Sequence, residues 1–252
     1  MKKSIIFAVA LAMSFSTLKA QSTVKPIGKS NITLTSDKMT PEALWAMGRI
    51  AGAQASPDGK HIVYQVGYYS VKENKGHQVI CVMDSDGKNI KQLTTSSKSE
   101  SDPVWINGGK KIAFLSDGQI FTMNIDGSDR KKLTNDKTGI DGFKFSPDEK
   151  KVILIKQIPF HESIQKNPDD LPMATGRVVT DLNYRHWDEY VESIPHPYLA
   201  EVTPNGITEG TDILEGEPYE CPMKPFGGVE QLAWSNDSKN IAYTCRKKSG
   251  VE

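Results

Sequence analysis

A pattern of about 40 residues recurs along this chain and leaves few folds open. "ASPDGKHIVYQV" from Ala55, "WINGGKKIAFLS" from Trp105, "FSPDEKKVILIK" from Phe145 and "WSNDSKNIAYTC" from Trp234 share one layout. An apolar or aromatic residue leads into a four-residue turn, then a Lys, then an alternating strand. Pro57 and Pro147 preset the second turn position, and Asp and Gly tolerate the remainder. A second motif follows inside the unit: "VMDSDGKNIKQLT" (82–94) and "MNIDGSDRKKLT" (123–134), each a strand, a DG turn and a strand ending Leu-Thr. Asp86-Gly87 precedes Asp126-Gly127 by 40 residues, and Leu93-Thr94 precedes Leu133-Thr134 by the same step, as Trp105 does Phe145. Four short strands per unit predict an all-β chain built as a β-propeller. "DSDG" resembles the start of a calcium loop, but the later ligands, including the closing Glu, do not follow it, so hairpin turns account for it.

The third unit is longer. From Phe145 to Trp234 the step is 89 residues, and "YLAEVTPNG" (198–206) copies the inner hairpin, so the surplus falls between Lys156 and Pro197. An insertion at about 157–197 is therefore expected in the third blade, protruding from one rim where loops meet ligands. "EGEPYECPMKPFGG" lengthens the loop before Trp234, and a fourth unit opens and stops. The prediction is three four-stranded blades plus the start of a fourth over 51–252, the N-terminal part of a longer protein. Residues 21–50 read as a lead-in segment with a short helix.

The first twenty residues, "MKKSIIFAVALAMSFSTLKA", join Lys2 and Lys3 to an apolar run and end on Ala20. That is a secretory leader with expected cleavage after Ala20, and its apolar run is too short to span a membrane. No Cys near position 20 suggests a lipid anchor. The chain carries 31 basic and 31 acidic residues; without Lys2, Lys3 and Lys19 it keeps 28 against 31, so no basic stripe argues for nucleic acid. A periplasmic or secreted location is expected. Cys81 and Cys245 sit in apolar strand patterns and Cys221 in a Pro-rich loop. At most one pair of the three can form, and they read as small core or surface residues rather than metal or redox groups.

"YRHWDEYVES" (184–193) breaks the period of two. Tyr184, Trp187, Val191 and Ile194 recur at steps of three and four, while Arg185, Asp188, Glu189 and Glu192 share the other face. The spacing predicts a short amphipathic helix inside the insertion. Arg185 and Glu189, four apart, could pair on a solvated face. Trp187 reads as a packing anchor, and His186 and His196 as structural residues.

"MTPEALWAMGRIAGAQASPDGKHIVYQV", "DLPMATGRVVTDLNYRHWDEYVESIPHPYLAEV" and "EGEPYECPMKPFGGVEQLAWSNDSKNIAYTCRKKSG" together resemble the N-terminal propeller of the prolyl-oligopeptidase family of serine peptidases, in its dipeptidyl peptidase V branch. The resemblance implies a propeller set over an α/β-hydrolase domain, short peptide substrates, and no metal or organic cofactor. It supplies no catalytic residue, because the chain has no G-x-S-x-G elbow. It does imply a substrate-binding role for Asp188 and Glu189, with Glu192 close by. Dipeptidyl peptidases of this family hold the free α-amine with acidic side chains on a short propeller helix, although the double-glutamate form of that motif has Asp188 at one place here. The other reading is a non-enzymatic, TolB-like periplasmic propeller that binds a protein or glycan.

Overall fold

The computed structural model describes residues 26–160 and 191–247, and between them 164–165, 173, 178–179, 184–186 and 189–190. The expected leader cleavage lies outside these residues. Helix α1, Pro41–Ala46, starts where Thr40 caps it, its Oγ1 accepting the Ala43 N–H at 3.2 Å, with Pro41 opening the first turn. No helix among the described residues is long and apolar enough to cross a membrane.

Apart from 3-10 turns at Asn107–Gly109 and Val229–Gln231, the remaining regular structure among the described residues is antiparallel sheet. β1 (Arg49–Ala55), β2 (His61–Ser70), β3 (Lys75–Asp84) and β4 (Lys91–Gln92) form the first sheet in that order. β5 (Glu100–Ile106), β6 (Lys111–Ser116), β7 (Gln119–Asn124) and β8 (Lys131–Lys132) repeat it. The third sheet begins with β9 (Gly142–Phe145) and β10 (Lys151–Pro159). Two short pairs follow: β11 (Ile164–Gln165) with β12 (Val178–Val179), and β13 (Tyr184–His186) with β14 (Glu189–Tyr190). The chain then returns through β15 (Ser193–Thr203), β16 (Gly206–Ile207) and β17 (Thr211–Asp212) to complete the third sheet. β17 is a fifth strand where four were expected. β18 (Leu232–Trp234) and β19 (Ile241–Tyr243) pair at the fourth position. None of the described sheets closes on itself.

The recurring turns rest on one local network. Ser56 Oγ donates to Asp58 Oδ1 at 2.6 Å and accepts the His61 N–H at 3.0 Å. Ser146 with Asp148 and Ser235 with Asp237 repeat it at 2.7 and 2.6 Å. The second copy replaces the serine, and Asn107, Gly108 and Gly109 all take positive φ there. The Leu-Thr endings also have a shared cause. Thr94 and Thr134 hydroxyls accept the N–H of Ile80 and Ile120, each at 2.9 Å, where the short outer strand ends.

The inner strands β6 and β10 each feed two cores. Ile112 and Phe114 face the first sheet and pack with Val63 and Ile80. Ala113 and Leu115 face the third and pack with Val152 and Leu154. Ile153 and Ile155 pack with Leu232 of β18. Successive side chains on a strand point to opposite faces, so a sheet buried on both sides needs apolar residues at every position.

The expected helix over 184–193 is corrected to a hairpin. Tyr184 pairs with Tyr190 and His186 with Glu189, in antiparallel register. A ten-residue helix without tertiary support is marginal, and the aromatic residues of this stretch favour extended backbone. The three-and-four spacing arises because Val191 and Ile194 belong to the neck of the insertion, where both are buried with Phe160.

Candidate functional site

The third sheet extends into the insertion as a two-stranded stem. β10 and β15 stay in register from Lys151 opposite Glu201 to Pro159 opposite Ser193. Beyond them the Phe160 N–H donates to the Glu192 carbonyl at 2.8 Å. Phe160, Val191 and Ile194 close this neck with apolar contact, joined by Ile158. The connection lies at the end of the sheet opposite the Ser-Asp turns, the same end as the β2–β3 and β6–β7 turns.

A buried polar cluster braces the stem on the face towards the second sheet. Lys156 stands opposite His196. Its Nζ lies 2.7 Å from Asp136 Oδ2, donates to the Glu209 carbonyl at 2.6 Å, and sits 4.4 Å above the Tyr198 ring. Asp136 Oδ1 accepts the Thr138 N–H and hydroxyl at 2.9 and 2.7 Å. Gln119 grips the backbone of Asp136 from both sides, accepting its N–H at 2.9 Å and donating to its carbonyl at 2.8 Å. Burial pushes the Asp136 carboxyl up, but the Lys156 ammonium and the Thr138 bonds outweigh it and hold the group below 3.8.

His196 is fully buried, with Nδ1 at 3.1 and 2.9 Å from the two oxygens of Asp212. A carboxylate on both approaches makes Nδ1 the protonated nitrogen. Burial raises the Tyr198 phenol, and the charge and hydrogen bond of Asp212 raise it further. A histidine oriented by an aspartate is two thirds of a nucleophilic triad. Here, however, Nε2 is buried and makes no hydrogen bond to a described residue. The pair therefore orders the stem and activates no described hydroxyl. No group of three or more metal-ligating side chains occurs among the described residues.

On the same rim, Arg49 is held between Trp45 and Tyr69, its guanidinium carbon 4.8 and 4.3 Å from the ring centroids. A cleft of about 760 Å³ opens beside it, lined in part by Ile32, Glu42, Trp45, Tyr69 and Val71.

The three carboxylates singled out in the sequence are placed to different degrees. Glu192 is exposed at the neck of the insertion. Glu189 lies in β14 opposite His186. Asp188 lies outside the described residues. The sequence reading missed the brace below them. Its one visible mark was Lys156 within the apolar run "VILIKQIP", whereas Asp136 and Asp212 carry no local signature.

No family model matches the chain. Among curated proteins, it is 47% identical over 223 residues to "Dipeptidyl-peptidase 5" of Porphyromonas gingivalis, covering 87% of this chain and 33% of that protein. To "Dipeptidyl-peptidase 5" of Porphyromonas endodontalis it is 41% identical over 225 residues, covering 87% of this chain and 32% of the relative. The chain thus spans about a third of the length of these relatives. The resemblance to the dipeptidyl peptidase V branch is borne out. A solved acylaminoacyl peptidase of Pyrococcus horikoshii matches with TM-score 0.48 and 14% identity over 67% of this chain and 26% of that one, a likeness too slight to build on.

Proposed function

We propose that this chain, similar over most of its length to proteins named dipeptidyl-peptidase 5, supplies propeller blades of an exported serine dipeptidyl peptidase. On this reading the nucleophile lies in an α/β-hydrolase domain outside this chain, and the insertion gates the approach of short peptides and holds their free α-amine. The identity of 47% across 87% of the chain carries the assignment. The braced stem supports the binding role, because an ammonium leaving water needs carboxylates on an ordered element. Asp188, Glu189 and Glu192 are the residues that would meet it.

The test compares Asp188→Asn, Glu189→Gln and Glu192→Gln in the complete enzyme on matched free-amine and acetylated peptides. Removing one partner of a buried charge pair costs about 2–5 kcal/mol, which is roughly 30- to several-thousand-fold in kcat/KM. That loss is expected on the free-amine peptide for at least one variant, with little change on the acetylated one. If all three variants stay within about threefold on the free-amine substrate, the amine is held elsewhere. Export is checked separately: N-terminal sequencing of the mature protein should begin at Gln21.

A further inference from the structure

Cys221 and Cys245 lie 24 residues apart in sequence and meet in one apolar cluster. Cys221 is fully buried among Ile153, Ile155, Leu214 and Leu232, and the half-buried Cys245 packs against the same group. The Cys221 sulfur lies 3.5 Å from the carbonyl oxygen of Thr244, the residue before Cys245. Across a trans peptide that oxygen is about 2.8 Å from the next Cα, so the Cys221 sulfur is within about 6.3 Å of Cys245 Cα. In a bridge with S–S of about 2.05 Å, that sulfur stands about 4 Å from the partner's Cα, so rotating the Cys245 side chain and moving the backbone by at most about 2 Å closes the gap.

The flanking chain holds both segments in place. Arg246 Nη2 reaches Glu220 Oε1 at 3.4 Å, pairing the residue after one cysteine with the residue before the other. The Cys221 N–H donates to the Pro195 carbonyl at 2.9 Å, and the Thr244 N–H to the Gln231 carbonyl at 3.1 Å. Cys81 stands apart, buried in the first sheet with Tyr64, Val66 and Val79. All three are free thiols in the structure.

We propose that Cys221 and Cys245 form a disulfide that ties the loop leaving the third sheet to the start of the fourth. The reaction needs a two-electron oxidant, and a small-molecule disulfide such as oxidised glutathione supplies it. The more accessible Cys245 loses its proton to water and attacks that disulfide, forming a mixed disulfide and releasing one thiolate. Cys221, deprotonated in turn, attacks the Cys245 sulfur and expels the second thiolate. Two protein thiols become one S–S bond, and one small disulfide becomes two thiols. Burial pushes the Cys221 thiol up to about 11 and the Cys245 thiol upward as well, so bridge formation is slow at neutral pH and quickens as pH rises. An exported chain, as the leader suggests, meets the compartment in which such bridges persist.

The test equilibrates the purified, reduced chain in a glutathione buffer of oxidising poise, then denatures it in alkylating reagent and maps its peptides. The expected result is one alkylated cysteine per chain, Cys81, with the Cys221 peptide linked to the Cys245 peptide. Cys81→Ser should keep the link and leave no alkylated cysteine. Reductant should lower the melting temperature of the parent but not that of Cys221→Ser. Three alkylated cysteines, glutathione retained on Cys245, or a link through Cys81 or between two chains would each overturn the proposal.

Discussion

Trp105 donates its indole N–H to the Gln54 carbonyl, 3.1 Å away and 51 residues earlier, and so pins the first strand of the second sheet to that of the first. Trp234 repeats the bond onto Lys144 at 3.0 Å, between the fourth position and the third sheet. Phe145 occupies the same place in the third unit, and its ring has no N–H to give. The aromatic residue before each turn is therefore a packing element, and at two of the three sites also a clasp between sheets. Trp105→Phe keeps most of the apolar area and removes the donor. It should destabilise the chain by about 1 kcal/mol, the usual net worth of such a bond. Urea unfolding with an unchanged m-value checks this, and a difference below about 0.3 kcal/mol would assign the residue to packing alone.

Glu100 is fully buried, and Arg130 is its ion-pair partner. The guanidinium of Arg130 lies 4.9 and 4.7 Å from the ring centroids of Phe114 and Phe121. Removing one partner strands a buried charge, at a cost of about 3–5 kcal/mol, while removing both restores balance. Arg130→Met should thus be much more destabilising than the double variant Glu100→Gln/Arg130→Met. A double-mutant cycle from chemical denaturation reads the coupling directly.

Asp136 gives a pH dependence of known sign. A carboxyl held below its unfolded value of 3.8 contributes stability that is fully present above that value and is lost as pH falls through the lower folded one. Asp136→Asn should cost about 2–3 kcal/mol at pH 7, somewhat less than a fully buried pair because both side chains keep some exposure. The gap between parent and variant should narrow as pH drops below 3.8. Melting temperatures of the two proteins across pH 2.5–7, roughly the range that brackets carboxylate titration, distinguish this from a gap that stays constant.

Gly206 and Gly87 occupy related hairpin turns with different surroundings. A Cβ on Gly206 would stand 2.5 Å from the Leu133 carbonyl oxygen, and one on Gly87 would meet nothing within 4 Å. Both have positive φ, at 131° and 82°. Gly87→Ala should cost about 1 kcal/mol from backbone strain alone. Gly206→Ala adds the clash, so about 2–4 kcal/mol is expected. Equal losses in thermal unfolding would show that the turn moves aside freely.

The insertion shows where the sequence reading failed. Tyr184, Val191 and Ile194 have helical spacing, yet Tyr184 pairs across a hairpin while Val191 and Ile194 close the neck beside Phe160. A period read along the chain assumes that its apolar residues serve one surface, and here they serve two. Lys156 fails differently. Its position in the strand was legible, but its partner Asp136 lies 20 residues away on a different segment, and only the stacking of sheets brings them to 2.7 Å.

What the sequence determined by itself was the repeat: the Ser-Asp turns, the DG hairpins and the Leu-Thr endings. Each is decided by bonds between residues a few positions apart, or across one hairpin, as in Ser56 with Asp58 and Ile80 with Thr94. The tertiary structure decided which neighbour each strand face meets, sending Ala113 to one core and Phe114 to the other. It also decided that His196 meets Asp212 and that Cys221 lies beside Thr244. Those contacts depend on how far one sheet turns against the next, which is summed over many side chains and written at no single position.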